Sequence, residues 1–520
     1  MTSPPDTSQT DPMGLPPERV PPPCGGKVYL VGAGPGDPGL ITFRGVECLR
    51  RADLVLYDYL VNPAVLDHAP RSAELVCLGH HGVQRSAPQG EINARMIAAA
   101  RAGKTVVRLK GGDPVVFGRG AEEADALRNA GVPLEYVPGV TAALAAAGYA
   151  EIPITHSNLS SAVALVTGQE CDSKQGPPLD YGALAGFPGT LIFYMGIASA
   201  EHWSEALMRA GKPPDTPVAI VRRCSWSDQT TVRCTLGSVA EVIHQRGLRP
   251  PAVIVVGEVV ARAPEVSWFA ARPLFGTRVL VTRPREQADA LFEPLNALGA
   301  EVLVQPAIRI SDPPDWAPVD AALRELDRFD WLVFFSSNGV RFLLDRLCST
   351  LGDLRRLGSV KLAAIGPGTE GELARYHLRA DLVPGEYRAE DLAAALSAEA
   401  RGRRFLLARA SRGREVLAEQ LTAAGAAVRQ VVVYSSTDVE EPDPAVREAL
   451  LSGRIDWITV TSSSIARSLV GLFGEELRRS RLASISPVTS EVLRQAGFAP
   501  AVEASVYTMP GLVEAILRGR

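Results

Sequence analysis

The chain is 520 residues long, 46% hydrophobic and 22% charged, with a formal net charge of -4. At roughly 150 residues per domain, that length implies about three to four domains. The near-neutral balance excludes a global basic field for nucleic acid, and no stretch approaches the ~20 uncharged apolar residues of a membrane-spanning helix.

Residues 1–26 carry eight prolines among polar neighbours, the composition of a disordered or extended tail. They lack the basic segment and apolar run of a secretory leader. The seven cysteines form no Cys-x-x-Cys pair and no zinc-type spacing. A cytoplasmic, multi-domain α/β chain with reduced thiols and no metal is expected. Past the tail, VYLVGAG (28–34), ADLVLYDYL (52–60) and TVVRLKGGD (105–113) read as apolar strands. Helical patterns lie between them, ITFRGVECLRR (41–51) and EINARMIAAARAG (91–103). This alternation predicts a mostly parallel sheet with ligands at the carboxyl ends of its strands. The rhythm restarts near residue 150 with AVALVTG (162–168), TLIFYMG (190–196), PVAIVRR (217–223) and AVIVVGEVV (252–260). EVSWFAARPLFG (265–276) reads as a connector, and GTRVLVTRPREQ (276–287) opens a new strand-and-helix unit.

The loop Gly32-Ala33-Gly34-Pro35-Gly36-Asp37 follows the first strand. A dinucleotide fingerprint would need Gly at position 37, and an acidic side chain there opposes a pyrophosphate at a helix N-terminus. A dinucleotide-dependent oxidoreductase is thereby disfavoured, and a tight structural turn is the plain alternative. Taken together, however, V-G-A-G-P-G-D-P-x-L-I-T, Y-D-x-L-V (57–61), R-L-K-G-G-D-P (108–114), F-G-R-G (117–120), V-P-G-V-T-A (137–142), I-P-I-T-H (152–156), T-G (167–168) and F-Y-M-G (193–196) resemble the uroporphyrinogen-III C-methyltransferase family of tetrapyrrole methylases. The resemblance covers about 27–272. It implies a two-domain methylase fold, with subdomains near 27–148 and 149–272, usually a homodimer. It further implies that S-adenosylmethionine methylates carbons 2 and 7 of uroporphyrinogen III, giving precorrin-2 on the branch to sirohaem and cobalamin.

By the same resemblance, Pro35, Gly111, Gly112, Asp113, Val116, Thr141, Ala142 and Met195 bind the cofactor, and Asp58 accepts a proton. Glycines admit close backbone approach, and Met195 offers a soft apolar wall. The plain alternative for Asp58 is a carboxylate capping the next turn. Where the family has a donor Lys, Cys77-Leu78-Gly79-His80-His81-Gly82 places His80, whose unperturbed pKa of about 6.5 suits proton shuttling. Cys224 stands where the family usually has Gly.

The part after 276 repeats itself. DWLVFFSSNGVRFLL (330–344) parallels DWITVTSSSIARSLV (456–470), and AAIGPGTEGELARYHLRADLVP (363–384) parallels ASISPVTSEVLRQAGFAPAVEA (483–504). A repeat of about 125 residues fits two similar lobes rather than a solenoid. Ser or Thr after a strand is usually a helix N-cap, and a run of arginines such as that in 401–414 is usually a solvated face. Yet V-L-V-T-R-P (279–284), F-F-S-S-N-G-V (334–340), I-G-P-G-T (365–369), L-A-R-A-S-R-G-R-E-x-L (407–417), V-V-Y (432–434) and T-S-S-S (461–464) resemble uroporphyrinogen-III synthase across 276–520. That family implies a two-lobed fold, with 276–308 joining 437–520 in one lobe and 309–436 forming the other. It implies dehydration of hydroxymethylbilane, inversion of the fourth pyrrole through a spiro intermediate, and ring closure without a cofactor.

Tyr434 matches the family's recurrent tyrosine and is a candidate to help the hydroxyl leave; a boundary tyrosine is the alternative. Arg283, Ser336, Ser337, Asn338, Thr369, Arg409, Arg412, Ser462, Ser463 and Thr489 are the candidate substrate contacts. Ser486-Pro487-Val488-Thr489 departs from the family's Gly-Pro-x-Thr. The expectation is a fusion enzyme converting hydroxymethylbilane to precorrin-2, with no nucleic-acid or membrane partner. A methyltransferase joined to a non-catalytic, two-lobed polycarboxylate-binding module is the alternative.

Overall fold

The computed structural model describes residues 25–79, 87–171, 174–358, 360–386, 388–413 and 415–520. The proline-rich stretch through residue 24 and His80 lie outside the described residues. The chain divides at Phe275/Gly276 into two compact units, and the described residues form four five-stranded sheets.

In the first unit, β1 (Lys27–Gly32), β2 (Leu54–Tyr57), β3 (Glu74–Cys77), β4 (Thr105–Lys110) and β5 (Leu134–Val137) make one sheet in the order β3-β2-β4-β1-β5. Every pairing in it is parallel. Apolar clusters cover both faces, one around Leu30, Leu56 and Met96, the other around Val31, Val55 and Leu109. That two-sided burial explains why these strands read as continuous apolar runs.

The second sheet uses β6 (Val163–Thr167), β7 (Thr190–Tyr194), β8 (Pro217–Arg222), β9 (Thr230–Thr235) and β10 (Ala252–Val256), in the order β6-β7-β10-β8-β9. Only β6 and β7 run parallel; β10 is antiparallel to both its neighbours, and β9 is antiparallel to β8. A mostly parallel sheet is therefore wrong for this segment. The physical reason is the short 223–229 connection, since a parallel crossover needs about a dozen residues or more. TTVRCT (230–235) also escapes a hydrophobicity reading, because this edge strand buries only Val232 fully.

The second unit contains β11 (Arg278–Val281), β12 (Glu301–Val304), β13 (Ile308–Ser311), β14 (Trp331–Phe334), β15 (Lys361–Ala364), β16 (Arg404–Ala410), β17 (Ala427–Asp438), β18 (Trp457–Val460), β19 (Arg481–Ser484) and β20 (Val502–Glu503). Its all-parallel sheet runs β12-β11-β18-β19-β20. The other runs β13-β17-β16-β14-β15 and is parallel except for β13 against β17. The chain thus leaves the first lobe after β12 and returns to it after β17. The two crossing segments are bonded together: the Val439 N–H donates to the Ala307 carbonyl at 3.0 Å, and the Asp443 N–H donates to Gln305 Oε1 at 2.7 Å. Among the described residues, no helix is long and apolar enough to cross a membrane.

Candidate active sites

In the first unit the loops after β1, β4 and β5 meet at the carboxyl edge of the sheet. The Gly34 and Gly112 amides and carbonyls bond each other, at 3.2 and 2.8 Å. A Cβ on Gly139 would stand 2.3 Å from the Gly112 carbonyl oxygen, and one on Gly32 2.6 Å from Gly139 Cα. These two glycines are therefore demanded by loop-on-loop packing. Gly112 differs: its surroundings are open to 3.9 Å, and its φ of +70° sets the residue type. Asp113, 8% exposed, ties the loops together. One carboxylate oxygen accepts from the N–H groups of Val115 and Val116, the other from Gly139 N–H.

Pro35 is pinned through its carbonyl by Trp226 Nε1 at 3.0 Å, and the Asn62 side chain donates to the Gly36 carbonyl. Asp37 accepts from Gly39 N–H and from the Tyr149 hydroxyl, so its charge caps the short helix that follows the loop. Thr141 Oγ1 lies 2.6 Å from the Tyr194 hydroxyl, which also accepts from Ala143 N–H, the residue after Ala142. Met195 follows with a φ of +55° and half of its surface exposed. A non-glycine residue in the left-handed region at a cleft marks a conformation that the surroundings impose. Burial pushes the Cys224 thiol up, and that residue is inert packing against the Gly-rich loop.

Asp58 follows β2 and does not cap a turn with its side chain. Its Oδ1 takes a 2.5 Å charge-assisted bond from Arg108 Nη2. Arg108, 3% exposed, also bonds Glu123 Oε1 through Nε at 3.0 Å, and Lys110 Nζ reaches the same oxygen at 2.9 Å. Glu123 is fully buried, and its Oε2 has no partner. Two carboxylates and two cations therefore alternate in a chain with no net charge beneath the loops. Burial, then the Arg108 charge, pushes the Lys110 ammonium down.

In the second unit the duplicated motif has one geometry twice. Ser336 caps the helix Ser337–Leu351 at φ/ψ of -166°/158°, and Ser462 caps Ser463–Phe473 at -166°/161°. Each hydroxyl accepts an N–H three residues on, Gly339 and Ile465 respectively. Ser486 caps Pro487–Gln495 at φ -162°, where Gly366 precedes Pro367–Arg375 at φ -178°. That extended backbone accepts any residue, so replacing Gly by Ser costs nothing at this position. Ser337 donates to the Gly368 carbonyl, Ser463 opens its helix, and Thr369 and Thr489 are turned inward, 4% and 2% exposed.

Tyr434 lies inside β17, buried and stacked on Phe342 with ring centroids 5.7 Å apart. Its hydroxyl is 3.0 Å from Ser336 Oγ. Burial pushes the phenol up, and the Ser336 and Asn338 side chains oppose that shift. Asn338 Oδ1 accepts from Gln287 Nε2 at 2.5 Å, and Arg283 Nη2 donates to Gln287 Oε1 at 3.0 Å. Arg409 and Arg412 are not drawn to this cluster. The first pairs with Glu415 and Gln430, the second with Asp438.

Comparison with known proteins agrees with this division. The family model described as tetrapyrrole (corrin/porphyrin) methylases matches residues 27–240, and that for uroporphyrinogen-III synthase HemD matches 289–514. The porphyrin biosynthesis protein HemD of Ruminiclostridium josui is 34% identical over 446 residues, 86% of this chain and 88% of the relative. The chain belongs to the fused tetrapyrrole methylase and HemD family. The uroporphyrinogen-III C-methyltransferase of Bacillus subtilis, strain 168, is 38% identical over 67% of this chain and 71% of its own. A crystal structure of uroporphyrin-III C-methyl transferase from Thermus thermophilus complexed with S-adenyl homocysteine is 42% identical, covering 45% of this chain and 99% of its own, at a TM-score of 0.39.

For a methylase–HemD fusion, sequence reading missed Arg108, Lys110, Glu123, Tyr194 and Gln287. A signal for the first three was present. Arg and Lys two positions apart in an apolar strand share one face of the sheet, and burying both requires a carboxylate, which the following helix Gly120–Asn129 supplies as Glu123. Tyr194 and Gln287 carry no such mark, because each acts on a loop far away in sequence.

Proposed function

We propose that this chain closes hydroxymethylbilane to uroporphyrinogen III in its second unit and methylates that product at carbons 2 and 7 in its first, giving precorrin-2. The observation that carries the reading is the pairing of families in one chain: what a uroporphyrinogen-III synthase makes is what a uroporphyrinogen-III methyltransferase consumes. No fold-level analogy to dinucleotide enzymes is needed, since Asp37 is spent on capping.

In the first unit the chain suits S-adenosylmethionine. Pro35, Gly111 and Gly112 would expose backbone to it, Thr141 and Ala142 would bound it, and the half-exposed Met195 would lie along it. Bound there, it supplies an electrophilic methyl group on sulfur. Asp113 and Val116 contribute by holding two loops in register, because the carboxylate is already committed to three N–H groups. Asp58, fixed by Arg108, is the base that takes the proton lost when a methylated ring carbon rearranges.

In the second unit Tyr434 donates a proton to the departing hydroxyl of the bilane, which leaves as water. The methylene so freed is attacked by the fourth pyrrole through its already substituted α-carbon, giving a spiro intermediate. The bond from that carbon to the third pyrrole's methylene breaks, the methylene re-bonds at the ring's free α-carbon, and the proton lost on closure restores the Tyr434 phenol. Orientation of a reactive substrate supplies most of the acceleration. The half-buried helix N-termini at Ser462, Ser463 and Ser337, with Arg283, suit its carboxylates.

Separating the two sites tests this. Asp58→Asn is expected to lower methylation by about a hundredfold or more while type-III product still forms from hydroxymethylbilane. Tyr434→Phe is expected to slow type-III formation while supplied uroporphyrinogen III is still methylated. If both variants keep both activities, the residue assignments fail.

A further inference from the structure

The Gly-rich loop of the first unit is held from two sides. On one side is the turn 223–229 between β8 and β9, in which Arg223 and Ser225 both stand in the left-handed region, at φ of +48° and +62°. Residues with side chains rarely adopt that backbone, so the surroundings impose it. The turn presents Trp226, whose Nε1–H donates to the Pro35 carbonyl at 3.0 Å, and Ser225, whose Oγ accepts the Asp37 N–H at 3.0 Å. The indole is itself fixed: the Arg223 guanidinium lies 4.3 Å from its ring centroid and is tied to Asp228 at 2.7 Å. On the other side is Asn62, in the loop that carries Asp58. Its Oδ1 accepts the Ala64 N–H, so its NH2 faces away and donates to the Gly36 carbonyl at 2.8 Å.

These contacts decide where one N–H points. In a trans peptide the carbonyl and the N–H point in opposite directions. Holding the Pro35 carbonyl on Trp226 therefore turns the Gly36 N–H away from the indole. Without that bond the peptide could flip, because Gly36 has no side chain to resist the rotation. The N–H groups of Ala33, Gly34 and Asp37 are engaged by Lys110, Gly112 and Ser225, and Pro35 has none. Among the described residues, the Gly36 N–H has no partner. Gly36 has no left-handed φ, so its backbone does not ask for glycine; a Cβ there would stand 2.4 Å from Trp226 Cδ1, and the close indole does.

We propose that Trp226 is a positioning residue for S-adenosylmethionine: it holds the Gly-rich loop in the orientation that offers the Gly36 N–H to an oxygen acceptor of the cofactor. Trp226 comes from the second sheet of the unit and Gly36 from the first, so the cofactor loop takes its shape only when the two are joined. The indole does not touch the reacting atoms. This rests on the methylase reading of the first unit.

The informative substitution is Trp226→Phe in the full chain, which keeps an aromatic ring against Gly36 and removes the donor. The loss of one hydrogen bond should raise the Kd for S-adenosylhomocysteine in calorimetry, and the KM for S-adenosylmethionine, by about three- to tenfold, with kcat for methylation within about twofold. A clasp that only stabilised the fold would lower the unfolding temperature without separating KM from kcat. Gly36→Ala should weaken cofactor binding in the wild type, and by a smaller factor when added to Trp226→Ala, because the indole that the new Cβ strikes is gone.

A second readout needs no cofactor. In hydrogen exchange, the Asp37 amide should exchange faster in Trp226→Phe than in the wild type, while the Val107 amide in β4 keeps its wild-type rate. Unchanged affinity, a fall in kcat with affinity intact, equal Gly36→Ala losses in both backgrounds, or unchanged exchange at Asp37 would overturn the assignment. If the wild-type chain binds no S-adenosylhomocysteine, the methylase reading fails instead, and exchange alone decides whether Trp226 holds the loop.

Discussion

At the scale of single residues, the most consequential feature is the buried chain Asp58–Arg108–Glu123–Lys110. Its members are not equivalent. Removing one partner of a buried ion pair leaves an uncompensated charge and costs about 3–5 kcal/mol. Glu123→Ala would strand Lys110 and leave Arg108 with Asp58 as its remaining carboxylate, so unfolding by urea should show a loss of that size. Asp58→Asn leaves Arg108 bonded to Glu123, and Asp58 has 29% of its side chain exposed, so the expected loss is about 1 kcal/mol or less. A large stability loss in Asp58→Asn would mean that the carboxylate is structural rather than catalytic. The sequence revealed Asp58 because it ends a strand inside a recognisable motif. It concealed the partners because Glu123 lies fifteen residues beyond Arg108, and their meeting depends on how a helix docks.

At the scale of elements, the duplicated strand–serine–helix unit was legible from its spacing alone, and the two copies agree within a few degrees at their caps. Ser336→Ala and Ser462→Ala should each destabilise the second unit by about 1 kcal/mol. Ser336→Ala should also lower the synthase kcat, because Ser336 additionally bonds Tyr434, whereas any effect of Ser462→Ala on type-III formation should fall on KM; thermal unfolding and type-III kinetics measured on the same preparations check both. What spacing could not show is how the lobes are tied. Asp438, the last residue of β17, accepts from Arg412 and from Ser468, which belong to different lobes. The Arg412 guanidinium, then the Ser468 hydroxyl, hold its carboxyl below the ordinary 3.8. That contribution is present above pH 3.8 and fades as pH falls through the lowered folded value. Urea midpoints between pH 6 and 3 should therefore fall more steeply in the wild type than in Asp438→Asn. Parallel curves would show the tie to be silent. The arginine run that ends at 414 hid this role, since charge-rich loops look alike whether they bind substrate or brace the fold.

At the scale of the whole molecule, length predicted three to four domains, and the described residues form four sheets in two units. Composition was less informative. A net charge of -4 says nothing about the proposed octacarboxylate substrate; under that proposal the half-buried Arg283, without a carboxylate partner among the described residues, would bear on it directly. The Gly-rich and Ser-rich loops were readable because chemistry requires those residue types locally, whereas Tyr194 and Gln287 matter only through distant contacts. The mixed second sheet of the first unit was misread for a related reason, because its antiparallel returns follow from loop length rather than hydrophobic pattern. The most direct measurement supplies the intact chain with hydroxymethylbilane and S-adenosylmethionine and determines the isomer and mass of the product. The expected result is a type-III macrocycle carrying two added methyl groups; unmethylated type-I uroporphyrinogen as the sole product would contradict a chain that performs both reactions.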